Sequence, residues 1–320
     1  MPSAGIPSTG LGIRQMESCP ACSSTHFKPR TPYPLQQYGA GTHLPTTYQL
    51  MACDECGLWF KNPMPSEEAL REYYDGVAAE TSPWNYGTRW PHERALDRLL
   101  AKMPDGSRVL DVGCWTGRLL SPHLPRLKTF GIEPNRTAAR TAEKNGLQIL
   151  GARIDESIQT NGSFDCITMV DLFEHLREPM KTLKLLVSSL APGGILYLVT
   201  GRTNCTAVRL NGPSYWYFGC PDHLIFLNRR FVRWLGKTIK GVSVDFRDVR
   251  HFDFRWSAFF REIAWMMAWR FLSPHSPYKK IPLYRLPGFK RFERLREPMM
   301  CGSWNDHALV EIYSQPTAAI

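Results

Sequence analysis

Two sets of residues in this chain have the types and spacing to do chemistry. The first is the stretch 109–117, VLDVGCWTG. Strand-forming residues run into an acid, Asp111, and then into a turn holding Gly113 and Gly117. Strand, glycine turn and helix together bring main-chain N–H groups close to a bound nucleotide. Gly113 lets the chain pass with no Cβ in the way, and Gly117 lets a helix beginning at Arg118-Leu119-Leu120 approach the sheet. Twenty-two residues past Asp111, a second apolar run ends in Glu133, about where a second strand's carboxylate reaches a ribose diol. The second set is Cys19, Cys22, Cys53 and Cys56, two CxxC pairs separated by 30 residues. Four thiolates so spaced can surround one tetrahedral Zn²⁺ with no open position, which makes the ion's role structural or substrate-positioning. Two chance pairs, or a redox pair, are the alternatives. His26 and His43 lie between the pairs as lone histidines and are read as surface residues.

A dehydrogenase would carry GxGxxG, whose glycines admit a pyrophosphate, and DVGCWTG does not fit that frame. The motif resembles instead the first motif of the class I S-adenosylmethionine-dependent methyltransferases, D-x-G-C-G-x-G, with Trp115 at the middle glycine. FDCITMVDLFEHLREP, residues 164–179, resembles that family's fourth motif, and CDECGLWFKNPMPSEEALREYYD resembles the zinc-knuckle leader of one bacterial subgroup. PDHLIFLN, residues 221–228, is similar to the subgroup's segment after the fifth strand. The resemblance covers 109–201, and from Cys19 with the leader.

It implies S-adenosylmethionine as cofactor, held by Asp111, Gly113, Cys114, Gly117, Glu133 and Asp171, with Asp155 accepting from the adenine amino group. A surface-turn role for Asp155 stays open. Related zinc-knuckle sugar C-methyltransferases carry an E-H pair that serves as base, and it matches Asp222 and His223. His223 is therefore the first candidate base, oriented by Asp222, and His175 the second, with turn capping as the other reading of His175. Imidazole suits base chemistry near neutral pH. The second C-terminal domain of those sugar enzymes has no counterpart here, so a nucleotide sugar is one acceptor class among several.

These residues need a scaffold. The implied fold is α/β, a Rossmann-like doubly wound seven-stranded sheet with a small N-terminal zinc ribbon and a helical insertion before the last strand. The expected division is a flexible 1–15, a ribbon at 16–65, a methyltransferase core at 66–253, the insertion at 254–300, and a last strand and C-terminus at 301–320. Ser66 caps a helix with Glu67 and Glu68 in its first turn. A second helix spans 91–103 with Leu96, Leu99 and Leu100 on one face, after an aromatic linker of Trp84, Tyr86 and Trp90. Strands follow at 148–150 and 164–170, the latter delivering Asp171, Glu174 and His175 to its C-terminal end. A helix spans 138–145. Another, over 183–190, is broken by Pro192-Gly193-Gly194 before a strand at 195–200. A helix at 228–240 precedes strands at 242–249 and 308–313.

With 320 residues there is length for one large domain plus an appendage. No apolar run nears the ~20 residues of a membrane span, and the Pro/Gly/Ser-rich start has no apolar signal core. Nine cysteines, four of them in metal spacing, suit a reducing cytoplasm. The formal charge of +10 is concentrated in residues 202–297, with 19 Lys and Arg against 7 Asp and Glu. That third carries the apolar stretch from Phe254 to Leu272, followed by Tyr278, Lys279, Lys280, Lys290 and Arg291. Four readings of the insertion stand: a helix over the sheet edge, a homodimer interface, a cover over an anionic or lipid-linked acceptor, or an interfacial membrane helix. The activity expected is O- or C-methylation of a small biosynthetic molecule. An rRNA or tRNA methyltransferase with a zinc head is the first alternative. Charge located away from the head and the missing Asn-Pro-Pro-Tyr motif weigh against nucleic acid as partner. The second alternative is a non-catalytic S-adenosylmethionine-binding scaffold.

Overall fold

The alternation of apolar residues explains the sheet before any contact is drawn. Strands buried on both faces read as near-continuous apolar runs, and 109–112, 164–170 and 195–200 do, interrupted only by Asp111, Asp165, Thr168 and Thr200. In the computed structural model, which describes residues 12–31, 35–36, 44–45, 47–76, 90–158, 162–212, 215–272 and 305–315, they form the centre of a seven-stranded sheet.

The N-terminal head is built on the antiparallel strands β1 (Phe27–Pro29), β2 (Thr47–Cys53) and β3 (Trp59–Asn62), with the two-residue piece Leu35–Gln36 also pairing with β2. Two helices lead into the body, α1 (Glu67–Asp75) and α2 (Pro91–Leu100). Ser66 caps α1 by accepting from the Ala69 N–H. Strands β4 (Arg108–Val112) and β5 (Lys128–Ile132), helix α3 (Arg136–Lys144) and strand β6 (Gln148–Gly151) follow. Then come β7 (Phe164–Val170), α4 (Pro179–Ser188), β8 (Leu190–Gly201) and the short β9 (Ile225–Phe226). Helix α5 (Arg229–Thr238), β10 (Val242–Val249), helix α6 (Trp256–Leu272) and β11 (His307–Ser314) complete the order.

The large sheet runs β10-β11-β8-β7-β4-β5-β6. The strands from β8 through β6 are parallel neighbours, while β11 is antiparallel to both β8 and β10. Strand order reverses between β4 and β7, the crevice where open α/β sheets bind ligands. Alternate residues divide between two cores. Leu110, Val112, Ile167, Met169, Leu196, Leu198, Val310 and Ile312 face α1, α4 and α5. Val109, Cys166, Ile195, Tyr197, Val199 and Leu309 face α2 and α3.

Four local expectations are corrected. No α-helix begins at Arg118; residues 118–120 are turns followed by a 3-10 helix, Ser121–His123. Pro122 and Pro125 explain this, since each removes an N–H and disfavours the helical conformation before it. Helix α2 stops at Leu100 rather than 103, ahead of Pro104. Pro192-Gly193-Gly194 does not precede β8 but lies inside it. The strand pairs from Leu190, and the register jumps from Phe164↔Leu190 to Cys166↔Ile195. Helix α5 starts one residue late because Asn228 is its cap, accepting from the Arg230 and Phe231 N–H groups. The first piece of the insertion is α6, which exposes Trp256, Phe260, Trp265 and Met267. The expectations placed on residues 1–11, His43, Trp84, Tyr86, Tyr278, Lys279, Lys280, Lys290 and Arg291 lie outside the described residues. Among the described residues no helix is long and apolar enough to cross a membrane.

The head does not stand apart. Strand β9, more than 160 residues along the chain from β3, adds an edge strand to the head's sheet through Ile225↔Phe60 and Phe226↔Trp59. Leu58, Phe60 and the cysteines share one core with Leu110, Ile167 and Phe231. Phe60→Ala, at a fully buried ring, should cost ~3–5 kcal/mol and lower one cooperative melting transition. Calorimetry resolving a separate head transition in the variant would contradict the shared core.

Candidate active site

The turn after β4 runs through three left-handed residues, Gly113 (φ 76°), Trp115 (φ 48°) and Gly117 (φ 76°). A Cβ on Gly117 would lie 2.9 Å from Leu147 and 3.2 Å from Ala142. Its close approach is thus to α3 and the loop after it, not to a helix of its own. Trp115 adopts a conformation that costs a non-glycine residue about 1–2 kcal/mol. Its main-chain N–H donates to Glu133 Oε2 at 2.8 Å, and the Asn135 N–H donates to Oε1 at 2.8 Å. Burial raises the Glu133 carboxyl, against the pull of these two N–H groups. Asn135 in turn caps α3 and donates to the Tyr74 carbonyl.

Asp111 is buried beside β7 and accepts from the Thr168 hydroxyl at 2.6 Å. Burial pushes it up to about 7. Cys114 is buried with its sulfur under Gly131, where a Cβ would sit 2.5 Å away. Burial pushes its thiol well up. Asp155 sits half-exposed on a one-turn helix after β6, where Arg153 at 3.2 Å holds it below the usual carboxylate range. The expected residues therefore gather at the C-terminal ends of β4, β5, β6 and β7, with Asp155 turned toward an arginine.

Asp171 closes β7 in the left-handed region, at φ 49°. His307 Nε2 stands 3.6 Å from its Oδ1 and His251 Nδ1 stands 3.7 Å from its Oδ2. Burial raises Asp171 to about 7, with His307 opposing. Burial would lower His307, but Asp306, 2.9 Å from Nδ1, outweighs it and carries the imidazole up to about 9. His251, His307 and Asp306 were not candidates from the sequence. The sequence signal that could have found two of them is the acid–histidine pair Asp306-His307 at the start of the last strand.

The candidate base lies one layer away. His223 Nδ1 is 3.0 Å from the Tyr217 carbonyl and donates to it, which leaves Nε2 as the acceptor nitrogen. Burial, then His175 and Lys61, holds the imidazole well below its ordinary range, so it is neutral at pH 7. Asp222 does not orient it. The Asp222 carboxylate stands 3.4 Å from His175 Nδ1, which also meets the Asp222 carbonyl at 3.0 Å and the Tyr74 hydroxyl at 2.9 Å. Adjacent residues on this tight turn face different ways, and the Tyr217 carbonyl takes the orienting role. Tyr217 ties the two regions together. Its ring lies 4.2 Å from that of His223 and 5.5 Å from that of His307, and its hydroxyl donates to Glu174 at 2.6 Å.

The head holds this segment in place. Lys61 on β3, buried, donates from Nζ to the Cys220 carbonyl at 2.5 Å, and burial lowers its amine to about 7. The Tyr48 hydroxyl donates to the Phe218 carbonyl at 2.5 Å. Farther into the head, the four cysteine sulfurs lie within 4.8 Å of one another, with Cys19–Cys56 at 3.6 Å and Cys22–Cys53 at 3.4 Å. Sulfurs about 2.3 Å from a tetrahedral zinc are roughly 3.8 Å apart, so the cluster fits the ion.

A glycine turn and a strand-end carboxylate at the switch point of a doubly wound sheet define a nucleoside-binding α/β domain. Residues 87–239, just under half of the chain, match the model of a family described as a methyltransferase domain. A ubiquinone biosynthesis O-methyltransferase of Xanthomonas axonopodis pv. citri (strain 306) is 35% identical over 133 residues, covering 38% of this chain and 55% of that protein. Its counterpart in Xanthomonas campestris pv. campestris (strain B100) is 33% identical over 133 residues, with the same coverage. The chain thus spans about half the length of the curated relatives it matches. The solved structure of the plantazolicin methyltransferase BpumL, with a pentazolic desmethylPZN analog and SAH, is similar at a TM-score of 0.47. It is 15% identical and covers 77% of this chain and 95% of its own. Residues 87–239 are thus similar to a methyltransferase domain.

Asp111 makes one consequence measurable. Its folded value, about 7, lies above the 3.8 of an exposed aspartate, so the unfolded chain releases this proton first. Its contribution to stability falls as pH rises from about 4 to about 7. Asp111→Asn, which cannot ionise, should gain on the wild type across that window by at most ~1.4 kcal/mol per pH unit. Denaturant melts of both proteins over the range check it. A difference that does not change with pH would mean that Asp111 ionises normally.

Proposed function

We propose that this chain is an S-adenosylmethionine-dependent methyltransferase that methylates a hydroxyl of a small biosynthetic molecule, with one structural Zn²⁺ held by Cys19, Cys22, Cys53 and Cys56. The observation that carries the reading is the strand-end cradle, in which the left-handed turn 113–117 and Glu133 are locked together at the switch point. Bound S-adenosylmethionine supplies a methyl group on a sulfonium. Gly113 and Gly117 admit the cofactor against main chain, and Glu133 accepts from the ribose diol. Asp111 and Cys114 support that turn from beneath. Asp171 faces the reacting end, and Asp155 is retained as the adenine contact. His223 Nε2, neutral and aimed by the Tyr217 carbonyl, receives the acceptor proton, with His175 as the second candidate. In direct displacement the new O–C bond forms as the S–C bond breaks, so positioning does most of the work.

An oxygen acceptor is favoured over carbon by the relatives named ubiquinone biosynthesis O-methyltransferases. The basic and aromatic C-terminal third supports an acceptor that is partly apolar and partly anionic, such as a lipid-linked or phosphorylated intermediate. Free thiols at Cys114, Cys166 and Cys205 suit the cytoplasm.

His223→Ala should lower methyl transfer at least about a hundredfold, the lower end for a general base, with affinity for S-adenosylhomocysteine unchanged. Tritium transfer from labelled cofactor into a lysate small-molecule fraction, beside calorimetry with S-adenosylhomocysteine, measures both. A loss under about tenfold would make His223 a positioning residue, and wild-type protein that binds no S-adenosylhomocysteine would remove the methyltransferase reading.

Zinc removal should act on the body as well as the head, because the head holds residues 218–226. Thiolate-bound zinc contributes an apparent ~10–16 kcal/mol in isolated fingers. Cys53→Ser should therefore lower the melting temperature of the whole protein. Unchanged melting, with no zinc lost on elemental analysis, would refute the assignment.

A further inference from the structure

A second cluster has the makings of a metal site and shares nothing with the cysteines. His92 on α2, Asp171 after β7 and His251 after β10 converge from three parts of the chain. One ligand atom from each lies within 4.8 Å of the other two. His92 is 1% exposed and His251 7% exposed. Both ring nitrogens of His92, His251 Nδ1 and Asp171 Oδ1 lack a partner at good hydrogen-bond geometry. Their nearest polar neighbours are the Arg250 main chain beside His92, His307 Nε2 at 3.6 Å from Asp171 Oδ1 and Asp171 Oδ2 at 3.7 Å from His251 Nδ1. A buried polar atom left without a well-formed hydrogen bond costs up to about 1–3 kcal/mol. Collecting several on one spot is costly unless something there accepts their lone pairs.

The surroundings fix these groups rather than relax them. The Trp90 ring lies 4.1 Å from that of His251, and His307 packs on the same ring at 4.5 Å. Asp171 is held with its carboxylate inward by a left-handed backbone that costs about 1–3 kcal/mol. Behind it stands His307, itself paired with Asp306. Outer-shell partners of this kind orient a ligating carboxylate.

We propose that His92, Asp171 and His251 bind one divalent first-row cation of the Zn²⁺, Fe²⁺ or Mn²⁺ class. Two imidazoles and a carboxylate are the donor set such ions take while keeping positions open. Bonds of 2.0–2.2 Å place donor atoms about 3–4 Å apart, close to the separations of up to 4.8 Å found here. The site lies at the C-terminal end of β7, beside the proposed methyl-transfer centre. If that reading holds, the open positions take an oxygen donor of the acceptor, which makes the acceptor a metal-chelating hydroxyl or carboxylate compound.

Metal binding is testable without turnover. Full-length protein loaded with Zn²⁺ and freed of excess by gel filtration should hold about two ions per chain, one at each donor set. The double variant His92→Ala/His251→Ala should keep only the thiolate-bound ion. Equal zinc content in folded wild type and variant overturns the proposal. Should the variant fail to fold, Co²⁺ added to wild type already loaded with one zinc decides the matter. Weak d–d absorption without thiolate charge-transfer bands is expected, and absence of any cobalt band overturns the site. Both readouts stand even if the protein transfers no methyl group.

Discussion

The segment that carries the candidate base is tied to the rest of the fold by a short ladder of main-chain hydrogen bonds across residue 224. The Lys61 N–H donates to the Leu224 carbonyl at 2.9 Å, and the Leu224 N–H donates to the Glu174 carbonyl at 2.7 Å. One residue thereby joins the cysteine head, the segment bearing His223 and the loop after β7. Such bonds are worth only about 0.5–1.5 kcal/mol each, but they decide register. A slip here would displace His223 from the Tyr217 carbonyl. The head's cysteines share a core with the sheet to which β9 belongs and so bear on where the His223 segment sits.

The glycine turn works by a different economy. Of its three left-handed positions only Trp115 carries a steric cost. The Glu133 carboxylate offsets it by accepting from the Trp115 N–H while it also accepts from the Asn135 N–H. Charge-assisted bonds of this kind are stronger than neutral ones. Trp115 can therefore stand where glycine would be easiest, because its backbone is held from the next strand. The same carboxylate orders α3 through Asn135, so cradle and helix form together.

Much of this was legible in residue order, and the failures have identifiable causes. Strands 164–170, 242–249 and 308–313 were readable because burial on one or both faces demands apolar residues at period two or throughout. The Ser66 cap was readable because capping is local. The missing helix after Gly117 was misread by weighing Leu119 and Leu120 above Pro122 and Pro125. The Pro-Gly-Gly run inside β8 was misread as a terminator, although a strand with a register shift accommodates such residues. The partner of His223 could not be read at all. Adjacency to Asp222 is a sequence fact, whereas orientation depends on a carbonyl six residues earlier. Likewise His92 and His251 are unremarkable single histidines until the sheet brings them to Asp171.

The place of β11 has a consequence for biogenesis. Within the described sheet β10 pairs only with β11, and β11 alone connects it to β8. While the polypeptide is being synthesised, residues 242–249 leave the ribosome with no edge to join. They must wait, exposed, until residues 307–314 arrive and insert between them and the waiting edge of β8. Asp306 and His307 enter beside Asp171 in the same event, so the site is completed only once residue 307 has been made. A nascent chain halted before that point would present an open, apolar sheet edge, the kind of surface that chaperones bind and that aggregates recruit.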